Sequence, residues 1–312
     1  MITKGVGGLY TVLTDDGASV LCRARGLFRH ESVTPLVGDR VTVCRDDDAG
    51  DDEDEGYLIE RIHQRKNSLI RPAIANLTHL FVVIPSAKPK PDLLTVDKII
   101  AVAECRGIEP VIIVNKSDID PVEAGNIKRI YDGAFTCVSL SAASGEGCGE
   151  LLGHLEALSC EASVTAAFAG ASAAGKSTLM KRLFPELDLK TGDISRKTER
   201  GRHTTRHVEL YPVLGSNRCF IADTPGFSLL DFTRFNFIPL SDLASSFREF
   251  SEYLGECRFT KCTHTKEEGC AVIEACREGK IPLARHENYV LLYDEIKKVP
   301  EWKRRKDLSS EV

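Results

Sequence analysis

The chain has 312 residues and a mass of 34.3 kDa, with a formal net charge of −5 and 42% hydrophobic residues. This length suffices for two or three domains with cores of their own and excludes a short peptide or a disordered tail. No apolar run approaches the roughly 18 residues that span a bilayer, and the N-terminal stretch lacks the features of a secretory signal, so we expect a soluble, cytoplasmic protein without a membrane partner.

Residues 1–72 predict a small β-barrel. Short runs of alternating apolar residues, at 20–24, 41–43 and 57–61, are separated by turn residues. Short strands at this spacing indicate a small barrel or sandwich, and a barrel of the oligonucleotide-binding (OB) type fits the length. Residues 46–55 carry eight acidic side chains and no basic one, which predicts an extended, solvated loop.

Residues 73–235 predict an α/β domain. Apolar strands predicted at 80–85, 110–115, 135–142, 164–170 and 219–226 alternate with helix-like stretches, among them 94–105 and 149–158. This alternation is typical of a parallel sheet covered on both faces. Residues 236–312 predict a mainly helical domain with clustered cysteines, in which Ser241 or Asp242 is expected to cap a helix that continues through Tyr253.

A phosphate-binding loop is the strongest single motif. Residues 170–177 read GASAAGKS, which matches G-x-x-x-x-G-K-S, follows a predicted strand and opens a predicted helix. In such a loop, backbone N–H groups surround phosphate oxygens, the lysine reaches the outer phosphates and the serine hydroxyl binds Mg²⁺. Here these roles fall on Lys176 and Ser177.

The tetrapeptide NKSD at residues 115–118, directly after a predicted strand, predicts guanine recognition. The Asp118 carboxylate could accept from the N1–H and 2-amino groups of guanine, a donor pair that adenine lacks. Asn115 would brace the loop and reach the base, while the Lys116 stem would lie against its face. Ser141 and Ala142, at the end of the next predicted strand, could supply a backbone N–H to guanine O6.

Two further segments predict a response to the γ-phosphate. In DTPG at residues 223–226, Asp223 would help to hold Mg²⁺ and the Gly226 N–H would bond the γ-phosphate. In the polar stretch GRHTTR at residues 201–206, either Thr204 or Thr205 could complete the Mg²⁺ shell through its hydroxyl.

The residue after DTPG is Phe227, where many GTPases carry a glutamine that orients the attacking water. Either another group orients the water, or hydrolysis is slow until a partner supplies one. His203 is the nearest candidate, and its imidazole could position the water or accept its proton; a structural hydrogen bond is the alternative role.

Three cysteines and a histidine in one short stretch, Cys257, Cys262, His264 and Cys270, predict a metal site. Three thiolates and an imidazole suit a closed, tetrahedral, structural Zn²⁺ site, with reduced thiols beside a chance histidine as the alternative. The scattered cysteines are expected to be buried, reduced thiols.

Along the chain, the motifs follow the order base loop (NKSD, 115–118), Ser-Ala loop (beginning at Ser141 and Ala142), phosphate loop (170–177), switch threonines (204 and 205) and DTPG (223–226). A conventional GTPase begins with its phosphate loop. Together with RPAIAN at residues 71–76 and the Cys-His-Cys segment, this order resembles the circularly permuted GTPase family of small ribosomal subunit maturation, the RsgA/YjeQ type. The resemblance covers nearly the whole chain. It implies an α/β permuted P-loop GTPase domain, preceded by a small OB-type β-barrel and followed by a zinc-binding, mainly helical domain.

The resemblance also implies site residues, cofactors and partners. Guanine recognition falls on Asn115, Lys116, Ser117, Asp118, Ser141 and Ala142; phosphate binding falls on Gly170, Ala171, Ser172, Ala173, Ala174, Gly175, Lys176, Ser177 and Thr178, with Asp223 and Gly226; and the switch falls on His203, Thr204 and Thr205. The implied cofactors are GTP or GDP, Mg²⁺ and one structural Zn²⁺, and the implied activity is GTP hydrolysis stimulated by the small ribosomal subunit and its rRNA. We expect a monomer.

The sequence departs from the usual pattern of this family in two places. Ala173 and Ala174 stand where Gly-Val is more usual, and Arg206 replaces a third switch threonine. Two other readings of the motifs remain: a P-loop ATPase or nucleotide kinase, and an RNA-binding assembly factor with a vestigial nucleotide site.

Overall fold

The structure, a computed structural model, describes residues 1–26, 28, 33–46, 56–70, 72–187, 208–223 and 238–298. The strands are β1 (Ile2–Val6), β2 (Leu9–Leu13), β3 (Ser19–Ala24), β4 (Val41–Arg45), β5 (Tyr57–Ile62), β6 (Ser68–Leu69), β7 (Ile74–Ala75), β8 (His79–Pro85), β9 (Glu109–Asn115), β10 (Thr136–Leu140), β11 (Val164–Gly170), β12 (Glu209–Pro212) and β13 (Cys219–Asp223). The α-helices are α1 (Leu93–Cys105), α2 (Pro121–Tyr131), α3 (Cys148–Glu161), α4 (Lys176–Leu183), α5 (Ala271–Arg277) and α6 (Leu283–Lys298), and a 3-10 helix (Arg248–Tyr253) precedes α5. None of the helices in the described ranges is long and apolar enough to cross a membrane.

The N-terminal strands form the predicted barrel of the OB type. Their order is β1-β2-β3-β5-β4, with β3 and β5 parallel and the other neighbours antiparallel. The segment before β4 returns to β1, because Ile2 N–H donates to Asp39 O at 2.9 Å and Gly38 N–H donates to Ile2 O at 2.8 Å. Arg65 fixes this return through its ion pair with the buried Asp39 carboxylate, at 2.7 Å. The acidic residues 47–55 lie outside the described ranges.

The α/β part is the expected parallel sheet with helices on both faces. Strands β10, β9, β8, β11 and β13 are parallel in that order, and β12 adds to β13 in the antiparallel sense. Alternation along β8 separates the two cores: Leu80 and Val82 share a hydrophobic cluster with Ile99 of α1, whereas Phe81 shares one with Leu151 of α3. Chain order reverses between β8 and β11, which creates a crevice at the carboxyl ends of the strands.

The barrel and the α/β part share one sheet of eleven strands. β1 pairs with β12 in the antiparallel sense, with Lys4 opposite Glu209. The same residues form an ion pair, with Lys4 Nζ 2.9 Å from Glu209 Oε2. The periodicity of either strand does not predict this pairing, because it joins residues that are far apart in the sequence.

The C-terminal part, 238–298, is mainly helical as expected, but the prediction of a helix that begins after Ser241 or Asp242 is wrong. Residues 240–246 form turns instead of a helix capped at Ser241 or Asp242, and the 3-10 helix that follows has Phe247 at its N-cap. Phe247, Phe250 and Tyr289 pack in a triangle with ring centroids 5.0–5.2 Å apart. These contacts bury Phe247 and Phe250 against α6.

The scattered cysteines are free thiols, but they are not uniformly buried. Cys22, Cys137, Cys148 and Cys219 are buried, Cys44 and Cys105 are half-buried, and Cys160 is exposed on α3. The expectation of burial is thus wrong for Cys160.

Candidate nucleotide and metal sites

The predicted nucleotide-binding loops meet at one edge of the sheet. β9, β10, β11 and β13 are parallel, so their carboxyl ends, at Asn115, Leu140, Gly170 and Asp223, lie at the same edge. The crevice between β8 and β11 opens here, and a ligand bound at this edge would contact all of these loops.

The phosphate loop runs from Gly170 to the start of α4. Gly175 caps the helix with a left-handed backbone, φ 99°, and a Cβ at this position would lie 2.2 Å from Asn115 Nδ2. Lys176 Nζ donates to Gly170 O at 2.7 Å and to Ala171 O at 2.9 Å, so the ammonium lies within the loop. Burial lowers the pKa of Lys176 to about 8, which phosphate oxygens beside the ammonium would oppose.

Asn115 joins three loops of the site. Its side chain is buried, and Nδ2 donates to Ala174 O in the phosphate loop at 2.8 Å. Oδ1 accepts from the N–H groups of Lys116, at 2.8 Å, and Ala142, at 3.0 Å. The bracing role predicted for Asn115 thus has a defined geometry. The Ala142 N–H, one of the two that could reach guanine O6, donates to Asn115 in this structure, and contact of Ser141 or Ala142 with a base stays a prediction.

The rest of the base loop is held from both sides. Ser86, at the end of β8, donates from Oγ to Lys116 O at 2.8 Å, and Ser117 N–H donates to Leu140 O at 3.2 Å. Lys116 Nζ reaches across to Ala173 O in the phosphate loop at 2.9 Å. Asp118 is exposed, and its carboxylate forms no hydrogen bond or ion pair within the described ranges. Its two oxygens can therefore accept from a ligand.

A cavity of about 580 Å³ lies between the Ser-Ala loop and α4. Its lining residues are Ala142, Ala143, Ser177, Thr178, Lys181, Arg182 and Pro185. Ser177 and Thr178 are exposed in the first turn of α4. The volume is within the range of small-molecule pockets, about 300–1,000 Å³.

Asp223 ends β13, next to the strand that leads into the phosphate loop. Burial, and then the negative charge of Glu209 opposite it, raise the pKa of Asp223 above its ordinary value. A half-buried carboxylate in such surroundings favours a nearby cation. His203, Thr204, Thr205 and Gly226 lie outside the described residues, so the predictions made for them stay predictions.

The four predicted zinc ligands converge in the C-terminal part. Cys257 Sγ and Cys270 Sγ are 3.8 Å apart, and each is 3.5 Å from His264 Nδ1. Cys262 belongs to the same cluster, in which all four ligand atoms lie within 4.8 Å of one another. A tetrahedral Zn²⁺ requires S···S distances of about 3.8 Å and S···N distances of about 3.6 Å, so these residues fit the ion.

The surroundings of this cluster come from α6, which the sequence did not link to it. His286 Nε2 bonds His264 O at 2.8 Å, and Tyr289 OH donates to Thr263 O at 2.8 Å. Sequence reasoning also missed Ser86, and Arg182, which contacts the Ser-Ala loop. No motif marks any of them, because each acts through a contact distant in sequence.

Known proteins match this chain along most of its length. A family model described as RsgA GTPase matches residues 62–233, and one described as RsgA N-terminal domain matches residues 1–58. The small ribosomal subunit biogenesis GTPase RsgA of Caldanaerobacter subterraneus subsp. tengcongensis is 40% identical over 298 residues, which is 95% of each chain. The protein of the same name from Ruminiclostridium cellulolyticum is 36% identical over 318 residues, covering 100% of this chain and 98% of the relative.

Solved structures give the same picture. The crystal structure of YjeQ from Thermotoga maritima aligns with a TM-score of 0.78 and 29% identity, over 96% of this chain and 98% of that one. The structure of YloQ, a circularly permuted GTPase, aligns with a TM-score of 0.75 and 30% identity, over 96% and 95%. The permuted order of the loops is therefore a property shared with folded relatives.

Proposed function

Because the chain belongs to the RsgA GTPase family, we propose that it binds GTP and hydrolyses it during biogenesis of the small ribosomal subunit. The observation that carries the proposal is the junction at Asn115, where one buried side chain joins the base loop, the phosphate loop and the Ser-Ala loop. This junction holds the three loops in one arrangement, which a nucleotide-binding site requires.

Guanine specificity rests on Asp118. Its exposed carboxylate stands at the end of a loop held by Ser86, Asn115 and Lys116, so it can accept from the N1–H and 2-amino groups of guanine. An adenine nucleotide would leave the carboxylate unpaired, a mismatch that lowers affinity by a large factor.

Asp118→Asn tests this assignment. The amide cannot accept from both guanine donors, so we expect GTP affinity to fall by about 100-fold or more, while xanthosine triphosphate gains affinity. Asp120→Asn is the matched control, because Asp120 caps α2 and asparagine caps equally well. Equal affinities for GTP in the Asp118 variant and the control would contradict guanine recognition by Asp118 and favour an ATPase or kinase.

Phosphate binding rests on the loop from Gly170 to Thr178. Its N–H groups and the Lys176 ammonium would surround the phosphates, and the ammonium would exchange its bonds with Gly170 O and Ala171 O for phosphate oxygens. The exposed Ser177 hydroxyl and the Asp223 carboxylate are the oxygen donors that suit Mg²⁺. Bound Mg²⁺ would neutralise charge on the phosphates during transfer.

For hydrolysis, we propose that His203 positions the attacking water, that Thr204 or Thr205 completes the Mg²⁺ shell, and that the Gly226 N–H contacts the γ-phosphate. The supporting observation is Phe227, whose ring cannot orient water. Ribosomal RNA would bring the switch residues into position, so turnover by the protein alone is expected to be slow.

The cluster of Cys257, Cys262, His264 and Cys270 would hold one structural Zn²⁺. Its four ligand atoms leave no open position, which supports a role in folding and not in catalysis. Zinc binding would stabilise a part of the chain with a small core of its own. We propose further that the protein works as a monomer in the cytoplasm, with ribosomal RNA as its partner.

GTP hydrolysis with and without purified small ribosomal subunits tests the whole proposal. We expect turnover to rise about 10³-fold on addition of subunits, as for activator-dependent GTPases. Lys176→Ala should abolish this rise while subunit binding persists. Equal turnover with and without subunits would contradict the proposed activation, and full biological activity of Lys176→Ala would favour the vestigial site.

A further inference from the structure

Arg182 links the phosphate-binding helix to the Ser-Ala loop. It lies in the last turn of α4, the helix that begins at Lys176. Its guanidinium reaches across to the loop, where Nε donates to Ala142 O at 3.3 Å and Nη2 donates to Ala143 O at 2.6 Å. One side chain therefore connects the phosphate side of the crevice to the base side.

Arg182 and Asn115 hold the Ser-Ala loop from two other parts of the site. Most of its other bonds are internal, such as Gly145 N–H to Ser141 O at 2.8 Å and Ser144 N–H to Ser141 Oγ at 3.1 Å. These internal bonds shape the turn. Ala142 is held from outside at both ends, by Asn115 at its N–H and by Arg182 at its carbonyl.

A guanidinium is suited to this task. Its N–H groups diverge from one rigid plane, so a single side chain can bond two successive carbonyls, whereas a lysine ammonium is a flexible point charge. Lys181, the preceding residue, lines the same cavity, but it forms no hydrogen bond or ion pair in the ranges that the structure describes. Arg182 and Lys181 therefore carry the same charge, but only Arg182 forms hydrogen bonds with the Ser-Ala loop.

We propose that Arg182 is a positioning residue for guanine recognition: it holds the backbone of the Ser-Ala loop against α4, beside the base site, and thereby sets the lifetime of the bound nucleotide. This inference rests on the proposed guanine site. Its effect acts at the O6 edge of the base, which the Ser-Ala loop faces, and not at the N1 and 2-amino edge, which Asp118 faces.

The test is nucleotide release from the full-length, zinc-loaded protein with Mg²⁺ present, in Arg182→Ala, Arg182→Lys and Lys181→Ala. Release of a fluorescent N-methylanthraniloyl GDP should become about tenfold faster in Arg182→Ala, which corresponds to 1.4 kcal/mol. Arg182→Lys should give an intermediate rate, because the ammonium can still bond one carbonyl. Lys181→Ala should stay within about twofold of the wild type, because no loop bond is lost.

Competition with two GDP analogues separates positioning from a general loss of structure. The ratio of affinities for GDP and 6-thio-GDP, which carries a weaker acceptor at position 6, should shrink in Arg182→Ala. The ratio for GDP and inosine diphosphate, which lacks the 2-amino group that Asp118 reads, should stay unchanged. Equal release rates in Arg182→Ala and Lys181→Ala, or both ratios shrinking together, would overturn the inference. A wild type that binds GDP no better than ADP would instead overturn the proposed function.

Discussion

At the scale of single residues, the site depends on the close approach of Gly175 to Asn115. The glycine has a left-handed backbone, and the space where its Cβ would stand is occupied by the Asn115 amide. Any other residue at position 175 must push Asn115 away from Ala174 O and Ala142 N–H. The glycine of the motif thus maintains base recognition as well as the phosphate loop.

Gly175→Ala should therefore weaken GDP binding and also destabilise the protein. We expect a loss of roughly 1–3 kcal/mol in the free energy of unfolding, because φ is 99° and the added methyl clashes with Asn115. Gly153→Ala in α3 is the control: this glycine is exposed with nothing within 4 Å of its Cβ position, and alanine should stabilise the helix by about 0.5–1 kcal/mol. Urea unfolding measures both changes; a loss in Gly153→Ala as large as in Gly175→Ala would contradict the argument.

At the scale of elements, α6 connects the metal cluster to the α/β part. His286 and Tyr289 support the backbone of the cluster on one side. On the other side Arg285, which is 1% exposed, pairs with Asp97 of α1 and with Glu249 of the 3-10 helix, each at 2.5 Å. Tyr131 OH also donates to Asp97, at 2.7 Å. These buried ion pairs join α6 to α1 and to the 3-10 helix.

Arg285→Leu should destabilise the protein by about 3–5 kcal/mol, because it leaves two buried carboxylates without their cation. This loss in the free energy of unfolding should depend on pH. Burial raises the pKa of Asp97 even beside Arg285, and loss of the cation raises it further. An acid whose pKa is raised on folding contributes less stability as pH increases.

The difference in urea midpoint between Arg285→Leu and wild type should therefore be larger at pH 8 than at pH 5. Arg277→Leu provides the control, because its pair with Glu274 is exposed and contributes little at either pH. If the urea midpoint of Arg285→Leu lies further below that of the wild type at pH 5 than at pH 8, the buried carboxylates are not the cause of the destabilisation.

At the scale of the whole molecule, the pairing of β1 with β12 makes the barrel part of the α/β sheet. β12 lies between β1 and β13, the strand that carries Asp223. The barrel should therefore unfold together with the nucleotide-binding part, and a ligand of one should stabilise the other.

Hydrogen exchange can measure this coupling. GDP at about 100 times its Kd should slow exchange about 100-fold in amides that open only by global unfolding, and we expect this in β2 of the barrel as well as in β11. Lys4→Glu places a second carboxylate opposite Glu209, which weakens the pairing of β1 with β12. We expect this variant to lose the slowing of exchange by GDP in β2 and to keep it in β11. If GDP protects β11 of the wild type and leaves β2 unaffected, the two parts unfold independently.

Features that depend on local chemistry could be predicted from the order of the residues alone. Alternating apolar residues predicted the strands of the barrel, and continuous apolar runs predicted those of the α/β sheet. The spacing of Cys257, Cys262, His264 and Cys270 predicted a cluster that the structure forms. The phosphate-loop motif predicted a strand, a turn and a helix, and these are β11, the loop and α4. Such patterns can be recognised in a sequence because neighbouring residues set both the spacing of apolar side chains in a strand or helix and the geometry of a turn.

Contacts between residues that are distant in the sequence became known from the folded structure. Asn115 and Ala174, Arg182 and Ala143, Arg285 and Asp97, and Lys4 and Glu209 are pairs separated by many positions, and no periodicity connects them. The turns at 240–246, where a helix is expected, precede Phe247, whose ring packs on Tyr289 of α6. Local sequence sets the conformations open to each segment, but burial and hydrogen bonding between segments select among them once the chain is folded.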